Sequence, residues 1–513
     1  MTERPIQNSD TERTALLPPV ESLPLPATTS QSRTVGSILL TILTSAGVVF
    51  LLDIGNSLSL APQTAILESI VCRQYYERQN HDGGAVVVTM MQQTMMIGGG
   101  GVDHPCKIEQ IQSRVAFING WKDVSETLPG ILLAVPFGMW ADRVVGGRKK
   151  VMLIAVVGLI LADSWVRLVY WFPNVFPLYA VWIGGWWQVI GAGGATLSSM
   201  VFAQLADVCP AEQRTAAFSI LASSTLLSQL VFVPVGAALM DWISPWVPMF
   251  LTSALGLLGL ALGLVFVPET KPTGDEEEQT SSSSGKNGVW SHLRELGVKG
   301  RELAQAFFRN TSAALVLVST FCFSLSIMSD SSLLLQYASK QLGWTIGEAS
   351  ILLSVRAGVG LLVLAVLLPL LSSFLLVRFN LHESLKDKRI AQASGVFLSL
   401  GAATLFLSNS WLPLFAGQVI FAVGFAYTAT TRSLLASTVD EKQRGTAFTA
   451  LSVFMQAGFL AGSPLLAAAF TWGLKLGDAW SGMPFLVAAV VSVIGTLAVS
   501  AASVKPVSVA IDG

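Results

Sequence analysis

Long apolar segments separated by short polar ones run along most of the chain. Twelve of them reach the ~20 residues that a helix needs to cross a bilayer. They lie at 35–60, 113–140, 150–172, 176–206, 215–240, 244–267, 311–337, 348–376, 390–408, 411–435, 445–471 and 481–503. These runs lack strand-like alternation, which argues against a transmembrane β-barrel. The pattern predicts an all-α integral membrane protein with twelve transmembrane helices, here numbered as spans one to twelve.

Composition supports the same class. The 513 residues are 52% hydrophobic and 12% charged, against roughly 25% charged residues in soluble domains. Mean hydropathy is +0.61. A net charge of −1 gives no basic excess for nucleic acid, and four cysteines are too few for a disulfide scaffold. A soluble enzyme, a DNA-binding protein and a disulfide-rich secreted domain are therefore excluded.

The distribution of lysine and arginine predicts the orientation in the membrane. Most of the 31 lie on the side of the N-terminus, so we expect both termini in the cytosol. The predicted domains are a disordered tail (1–34), an N-terminal six-helix bundle (35–267), a cytosolic linker (268–310), a C-terminal six-helix bundle (311–503) and a short tail (504–513).

An internal repeat relates the two bundles. When the chain is shifted by 230 residues, identical residues align without a gap through spans four and five and spans ten and eleven: Gln188-Val189-Ile190 with Gln418-Val419-Ile420, Gln213-Arg214 with Gln443-Arg444, and Pro234 with Pro464. Parallel repeats of this kind are typical of transporters whose solute site lies between the halves, near the midplane of the membrane.

The loop after span two carries a family motif. Gly138-Met139-Trp140-Ala141-Asp142-Arg143, followed by Gly147-Arg148-Lys149-Lys150, resembles the loop motif of the major facilitator superfamily, with two extra residues after Arg143. Finer features, Ala61-Pro62-Gln63-Thr64 and Leu334-Leu335-Gln336-Tyr337, are similar to a fungal-type branch near the proton-coupled folate transporter group. The resemblance implies alternating access, and a latch between the halves at Gly138, Asp142, Arg143 and Arg148. Gly138 is expected to permit close helix approach.

Ionisable residues inside spans are candidate functional residues, because an unpaired charge in lipid is costly. Asp53 in span one is the first candidate for a substrate or proton site. Asp163 and Arg167, four residues apart in span three, are expected to form a structural ion pair, since span three is peripheral in the family. In span two, Lys122 and Glu126 have the same spacing, which fits a neutralised cavity mouth as well as a coupling site.

Further candidates lie in the second half and in span four. Arg356 has the geometry to bind an anionic solute, with Asp330 as its expected partner, and Arg432 lies near the predicted cytosolic mouth. Gln188 and Gln418 are polar residues that either contact a polar solute or join helices.

Two cysteines, Cys72 and Cys106, fall in the first predicted outer loop. A disulfide between them is plausible in an oxidising compartment, and two free thiols are the alternative. No metal site, cofactor motif or phosphate-binding loop is predicted. The acidic dileucine pattern Glu12 to Leu17 keeps the vacuolar membrane open as an alternative to the plasma membrane.

The sequence thus predicts a monomeric, non-enzymatic secondary transporter of a small organic solute, coupled to protons. Efflux of a metabolite or drug-like compound is favoured. Uptake of an anionic nutrient, and a non-transporting membrane sensor with the same fold, are the alternatives.

Overall fold

The computed structural model describes residues 35–79, 105–143, 147–208, 211–268, 310–329, 332–379, 383–439 and 444–503. Helices make up nearly all of these residues, and none of them is in a β-strand. The predicted tails, most of the predicted linker and Asp330 lie outside the described residues.

The first half contains five long helices and one broken passage. Spans one, two, three, five and six are the helices Val35–Gln79, Glu109–Arg143, Gly147–Trp171, Ala211–Trp242 and Trp246–Phe266. Span four is divided into Leu178–Trp182, Ile183–Trp186, Trp187–Val189 and Gly193–Val208. Span one continues well past the predicted membrane boundary at residue 60, because hydropathy marks the edge of the lipid and not the end of the helix.

The second half repeats the arrangement with more interruptions. Span seven is Thr311–Ile327, followed by the separate helix Ser332–Leu342. Span eight runs through Ile346–Leu362, a π-helical turn at Val363–Leu367, and Leu368–Phe379. Spans nine, eleven and twelve are Glu383–Phe406, Arg444–Leu476 and Met483–Ala501. Span ten is Trp411–Val423, Gly424–Ala426 and Tyr427–Thr438.

Among the described residues, nine helices are long and apolar enough to cross a membrane. The other three predicted spans depart from that standard for separate reasons. Span two carries Lys122, Asp123 and Glu126, and span four is broken. The first helix of span seven has only 17 residues, and just after its end the Ser329 hydroxyl donates to the carbonyl of Ser326, a local side-chain bond that competes with a continuing helix.

The two ends of the molecule are packed differently. We call the end that holds Cys72 and Cys106 the disulfide end, and the end where the described chain begins and finishes the terminal end. At the disulfide end, one apolar core combines residues of both halves, including Ala61, Val233 and Phe470. At the terminal end each half has a core of its own. Among the described residues, the halves therefore share one core at the disulfide end and have separate cores toward the terminal end.

Two helix pairs form the seam between the halves at the disulfide end. Spans two and eleven approach so closely that a Cβ on Gly120 would lie 3.0 Å from the Cβ of Ala467 and 3.3 Å from the carbonyl oxygen of Ser463. The Ser463 hydroxyl donates a hydrogen bond to the Asp123 carboxylate. This contact couples the two halves directly.

Spans five and eight form the second part of the seam. Arg356 Nη2 donates to Gln229 Oε1 at 3.0 Å. One residue of span eight, Gly347, packs against the Asp241 side chain, where a Cβ would collide with the carboxylate. These contacts between spans five and eight lie in the half of each helix that is nearer the disulfide end.

Candidate functional site: a polar cavity among the spans

A cavity of about 370 Å³ lies near the middle of the spans of the first half. Spans one, two, three, four and six line it, and span eleven contributes one residue from the second half. Its polar and charged lining residues are Asp53, Asn56, Glu126, Thr127, Asp163, Arg167, Gln188, Ser198, Thr252, Ser253 and Gln456. Three carboxylates thus face one guanidinium across a space large enough for a small organic molecule.

The break in span four shapes one wall of this cavity. Gly191, Ala192 and Gly193 have φ values of 91°, 59° and 66°, all in the left-handed region. Glycine adopts such angles without steric cost. A Cβ on Gly191 would collide with the backbone of Ala155 in span three. The glycines therefore permit both the turn and the close approach, and Gln188 reaches the cavity just before the turn.

Asp53 lies on the cavity wall in span one. Its Oδ2 accepts a hydrogen bond from Thr225 Oγ1 at 2.8 Å. Among the described residues, no cation lies within ion-pairing distance of this carboxylate. It differs in this from the other two carboxylates of the cavity, each of which has a cation beside it.

Asp163 and Arg167 form the ion pair expected from their spacing, with 3.5 Å between Arg167 Nη2 and Asp163 Oδ2. Arg167 Nη1 also donates to the Ser253 hydroxyl at 2.6 Å. The Asp163 side chain is 59% exposed and the Arg167 side chain 9%. Both line the cavity, so this pair belongs to the cavity wall, although span three was expected at the periphery.

Span two adds a second charged group. Lys122 Nζ lies 3.3 Å from Glu126 Oε1 and 3.9 Å from Asp123 Oδ1. Glu126 faces the cavity, whereas Asp123 bonds to span eleven in the seam. Lys122 therefore lies between a cavity carboxylate and a carboxylate that holds the two halves together.

The other predicted solute contacts lie outside the cavity lining. The Arg356 guanidinium lies 5.8 Å from the ring centre of Phe425 and is hydrogen-bonded in the seam. Arg432 is exposed in span ten, and Gln418 is fully buried. The structure thus groups Asp53 and Gln188 in one cavity and places these three residues elsewhere.

The structure describes only part of the predicted latch. Among the described residues, nothing lies within 4 Å of a Cβ built on Gly138, so the close helix approach expected there is not seen in this conformation. Arg148 Nη1 donates to the carbonyl of Ala203 at 3.2 Å, within the first half. The side chains of Asp142 and Arg143 are outside the described residues.

A disulfide joins Cys72 and Cys106, with 5.4 Å between their Cα atoms. Beside it, Glu68 accepts from Lys107 Nζ at 2.6 Å and from Gln112 Nε2 at 2.7 Å. The bond and the buried ion pair together fix the start of span two against the far end of span one.

Two residues around the cavity had no signal in the sequence. Thr225 and Ser253 orient Asp53 and Arg167. Hydroxyl side chains occur throughout the spans, so only the packed structure distinguishes these two.

Comparison with known proteins identifies the family. The model of the Major Facilitator Superfamily matches residues 116–386 and 316–510, and so covers most of the chain. The chain belongs to the Major Facilitator Superfamily. It is accordingly a secondary transporter and not an enzyme, which confirms the prediction from the span pattern and the loop motif.

The named relatives of this superfamily member are fungal. It is 40% identical over 468 residues to the efflux pump UstT of Aspergillus flavus. The aligned region covers 89% of this chain and 87% of the relative. It is 30% identical to the MFS efflux pump AtnC of Emericella nidulans, over 88% and 85% of the two chains.

Solved structures show the same fold. The nucleoside transporter NupG superposes with a TM-score of 0.59 at 14% identity, covering 90% of this chain and 98% of NupG. The xylose transporter XylE of E. coli superposes with a TM-score of 0.54 at 14% identity, over 90% and 97%. These likenesses confirm the twelve-helix, two-bundle architecture.

Proposed function

We propose that this transporter exports a small organic metabolite with a basic group from the cytosol in exchange for protons. The observation that carries the proposal is the charge of the cavity, where Asp53, Glu126 and Asp163 face the single guanidinium of Arg167. Such a surface attracts a protonated amine and repels an anion. The efflux pumps among its relatives support the direction of transport.

Asp53 is the proposed site at which protons and solute compete. Glu126 and Asp163 each have a cation within 3.5 Å, whereas Asp53 accepts one hydrogen bond from a neutral hydroxyl. A carboxylate without a paired cation changes charge most readily, because protonation does not break an ion pair. Protonation of Asp53 then removes one negative charge from the cavity and releases the solute.

The proposed setting is a monomer in the plasma membrane or the vacuolar membrane, with both termini in the cytosol. In that orientation the separated terminal end faces the cytosol and admits the solute. The uptake of an anionic nutrient is disfavoured, because Arg356 and Arg432, its candidate anion contacts, do not line the cavity.

Two measurements test this proposal. Mass spectrometry should compare cells and medium with and without the gene. In the strain that lacks the gene, a basic compound should accumulate in the cells and disappear from the medium. Purified protein in liposomes with an imposed pH gradient should then move that compound in exchange for protons, with the opposite proton flux reported by a trapped pH dye.

A matched pair of carboxylate-to-amide variants locates the proton site. Asp53→Asn should reduce proton-coupled exchange at least about tenfold, whereas Asp478→Asn, on an exposed carboxylate outside the cavity, should leave it unchanged. Unaltered pH dependence in Asp53→Asn would remove Asp53 from the mechanism. An anionic exported compound would refute the charge argument.

A further inference from the structure

A second cavity, an apolar groove of about 380 Å³, lies on the outside of the seam between spans two and eleven. Its walls are Phe117, Trp121, Pro464, Ala467, Ala468, Thr471, Trp472 and Lys475. Phe117, Trp121 and Trp472 are 46%, 44% and 59% exposed. The groove therefore presents an aromatic surface to the region that lipid occupies, at the end where the two halves are closed.

Two cations lie toward one end of this groove: Lys475 is part of its wall, and Arg114 lies one helical turn before Phe117. Arg114, Phe117 and Trp121 are spaced i, i+3 and i+7, so they share one face of span two. Lys475 follows Trp472 by three residues near the disulfide end of span eleven. Because the two helices run antiparallel, both cations come to the same end of the apolar groove.

Neither cation is neutralised by a described residue. The guanidinium of Arg114 lies 5.9 Å from the ring centre of Tyr179, a cation–π contact that leaves its charge available. Asp478, the carboxylate nearest in sequence to Lys475, is paired with Lys340 at 2.7 Å. Cations above an apolar, tryptophan-lined surface match the level at which lipid headgroups meet acyl chains.

We propose that this groove binds one anionic phospholipid, with its phosphate at Arg114 and Lys475 and an acyl chain along Phe117, Trp121 and Trp472. The site is independent of the transported solute and of the direction of transport. It requires only that the protein spans a bilayer.

The position of the lipid gives it a second role. Each half contributes one wall of the groove, and the two walls meet where Gly120 approaches Ala467. Opening the disulfide end separates spans two and eleven and so divides the groove. A lipid that fits only the closed groove shifts the population toward the state closed at the disulfide end.

Native mass spectrometry of the purified protein tests the proposal. Phosphatidylglycerol and phosphatidylcholine with identical acyl chains serve as probes, and the number of lipids retained on the protein is counted. The wild type should retain one phosphatidylglycerol at least about tenfold more strongly than phosphatidylcholine. Equal retention of the two lipids would overturn the assignment of the phosphate to the cations.

Three variants distinguish binding of the lipid headgroup from binding of the acyl chain. Lys475→Gln, on an exposed residue, and Arg114→Gln should each lower the retention of phosphatidylglycerol, and Ala468→Phe should lower it by filling the groove. Arg73→Gln removes a cation from the same end of the molecule, on span one, and should change nothing. If Arg73→Gln acts as strongly as Lys475→Gln, the attraction is a general surface charge effect and the site is refuted.

Hydrogen exchange provides the conformational test. Phosphatidylglycerol should slow deuterium uptake in the disulfide half of spans five and eight, which the groove does not contact, and Lys475→Gln should abolish that effect. Faster uptake with the lipid would contradict the proposed preference for the closed state.

Discussion

Replacing Gly120 by valine should drive the two halves apart at the disulfide end. A Cβ at this position lies 3.0 Å from the Cβ of Ala467, whereas carbon atoms prefer separations of about 3.5–4.0 Å. The carbonyl of Ser463, at 3.3 Å, blocks the other direction. Valine adds two methyl groups to a contact that is already too short for one carbon.

The expected size of the effect follows from the cost of overpacking. Extra carbons in a well-packed contact cost about 1–3 kcal/mol. The cost falls on the closed state alone, because spans two and eleven separate when the disulfide end opens. The ratio of closed to open protein should therefore fall by a factor of about 5 to 150.

Hydrogen exchange at a distant part of the seam measures this shift. Peptides covering 346–360 of span eight pack on span five and do not touch Gly120. They should take up deuterium faster in Gly120→Val than in the wild type. The same variant should admit a solute from the disulfide side more readily in transport assays.

Gly138→Val is the matched control in the same helix. Nothing lies within 4 Å of a Cβ at Gly138 in this conformation, so the closed state should accept valine. If Gly138 meets the other half when the terminal end closes, valine there should slow uptake at 346–360, the opposite of Gly120→Val. If both variants change deuterium uptake at 346–360 in the same direction, or if Gly120→Val does not change it, the assignment of the seam is refuted.

Three further substitutions test parts of the first half. Gly191→Ala should abolish transport, because alanine both resists the left-handed backbone and collides with span three; Gly47→Ala, in span one with no described atom within 4 Å, should retain it in the same liposome assay. Cys72→Ser removes the disulfide that joins two cysteines 34 residues apart, and it should lower the free energy of unfolding by up to about 3–4 kcal/mol. The variant should melt at a lower temperature than the wild type, and a reductant should no longer change that temperature. Glu68→Gln leaves the largely buried Lys107 ammonium unpaired and should cost about 3–5 kcal/mol, with a similar fall in melting temperature; unchanged melting of either variant would contradict its role as a structural clamp.

The apolar pattern predicts the spans because a bilayer imposes one length on every helix that crosses it. It does not predict helix ends outside the lipid, as the continuation of span one to Gln79 shows. It also does not predict breaks inside the lipid. The sequence Gly191-Ala192-Gly193 suggests a flexible point, but an alanine with φ of 59° is set by its neighbours and not by its own preference.

The candidate site, like the fold, is predictable from the sequence only in part. Asp53 is identifiable from sequence because a carboxylate in an apolar run needs a reason to be there. The pairing of Asp163 with Arg167 follows from spacing alone. Their place on the cavity wall does not, because it depends on how the broken span four packs beside span three.

The composition of the seam agrees with a transporter that must open it in every cycle. Its described contacts are an apolar core shared by the two halves, close glycine packing and two hydrogen bonds between a charged and a neutral group, Asp123 with Ser463 and Arg356 with Gln229. Such bonds contribute about 1.5–3 kcal/mol each, whereas breaking a buried ion pair costs about 3–5 kcal/mol. Among the described residues, every ion pair lies within one half. Lys122 lies between Asp123 and the cavity residue Glu126, so a protonated amine bound at Glu126 pushes Lys122 toward Asp123, where it competes with Ser463 for the carboxylate and favours opening.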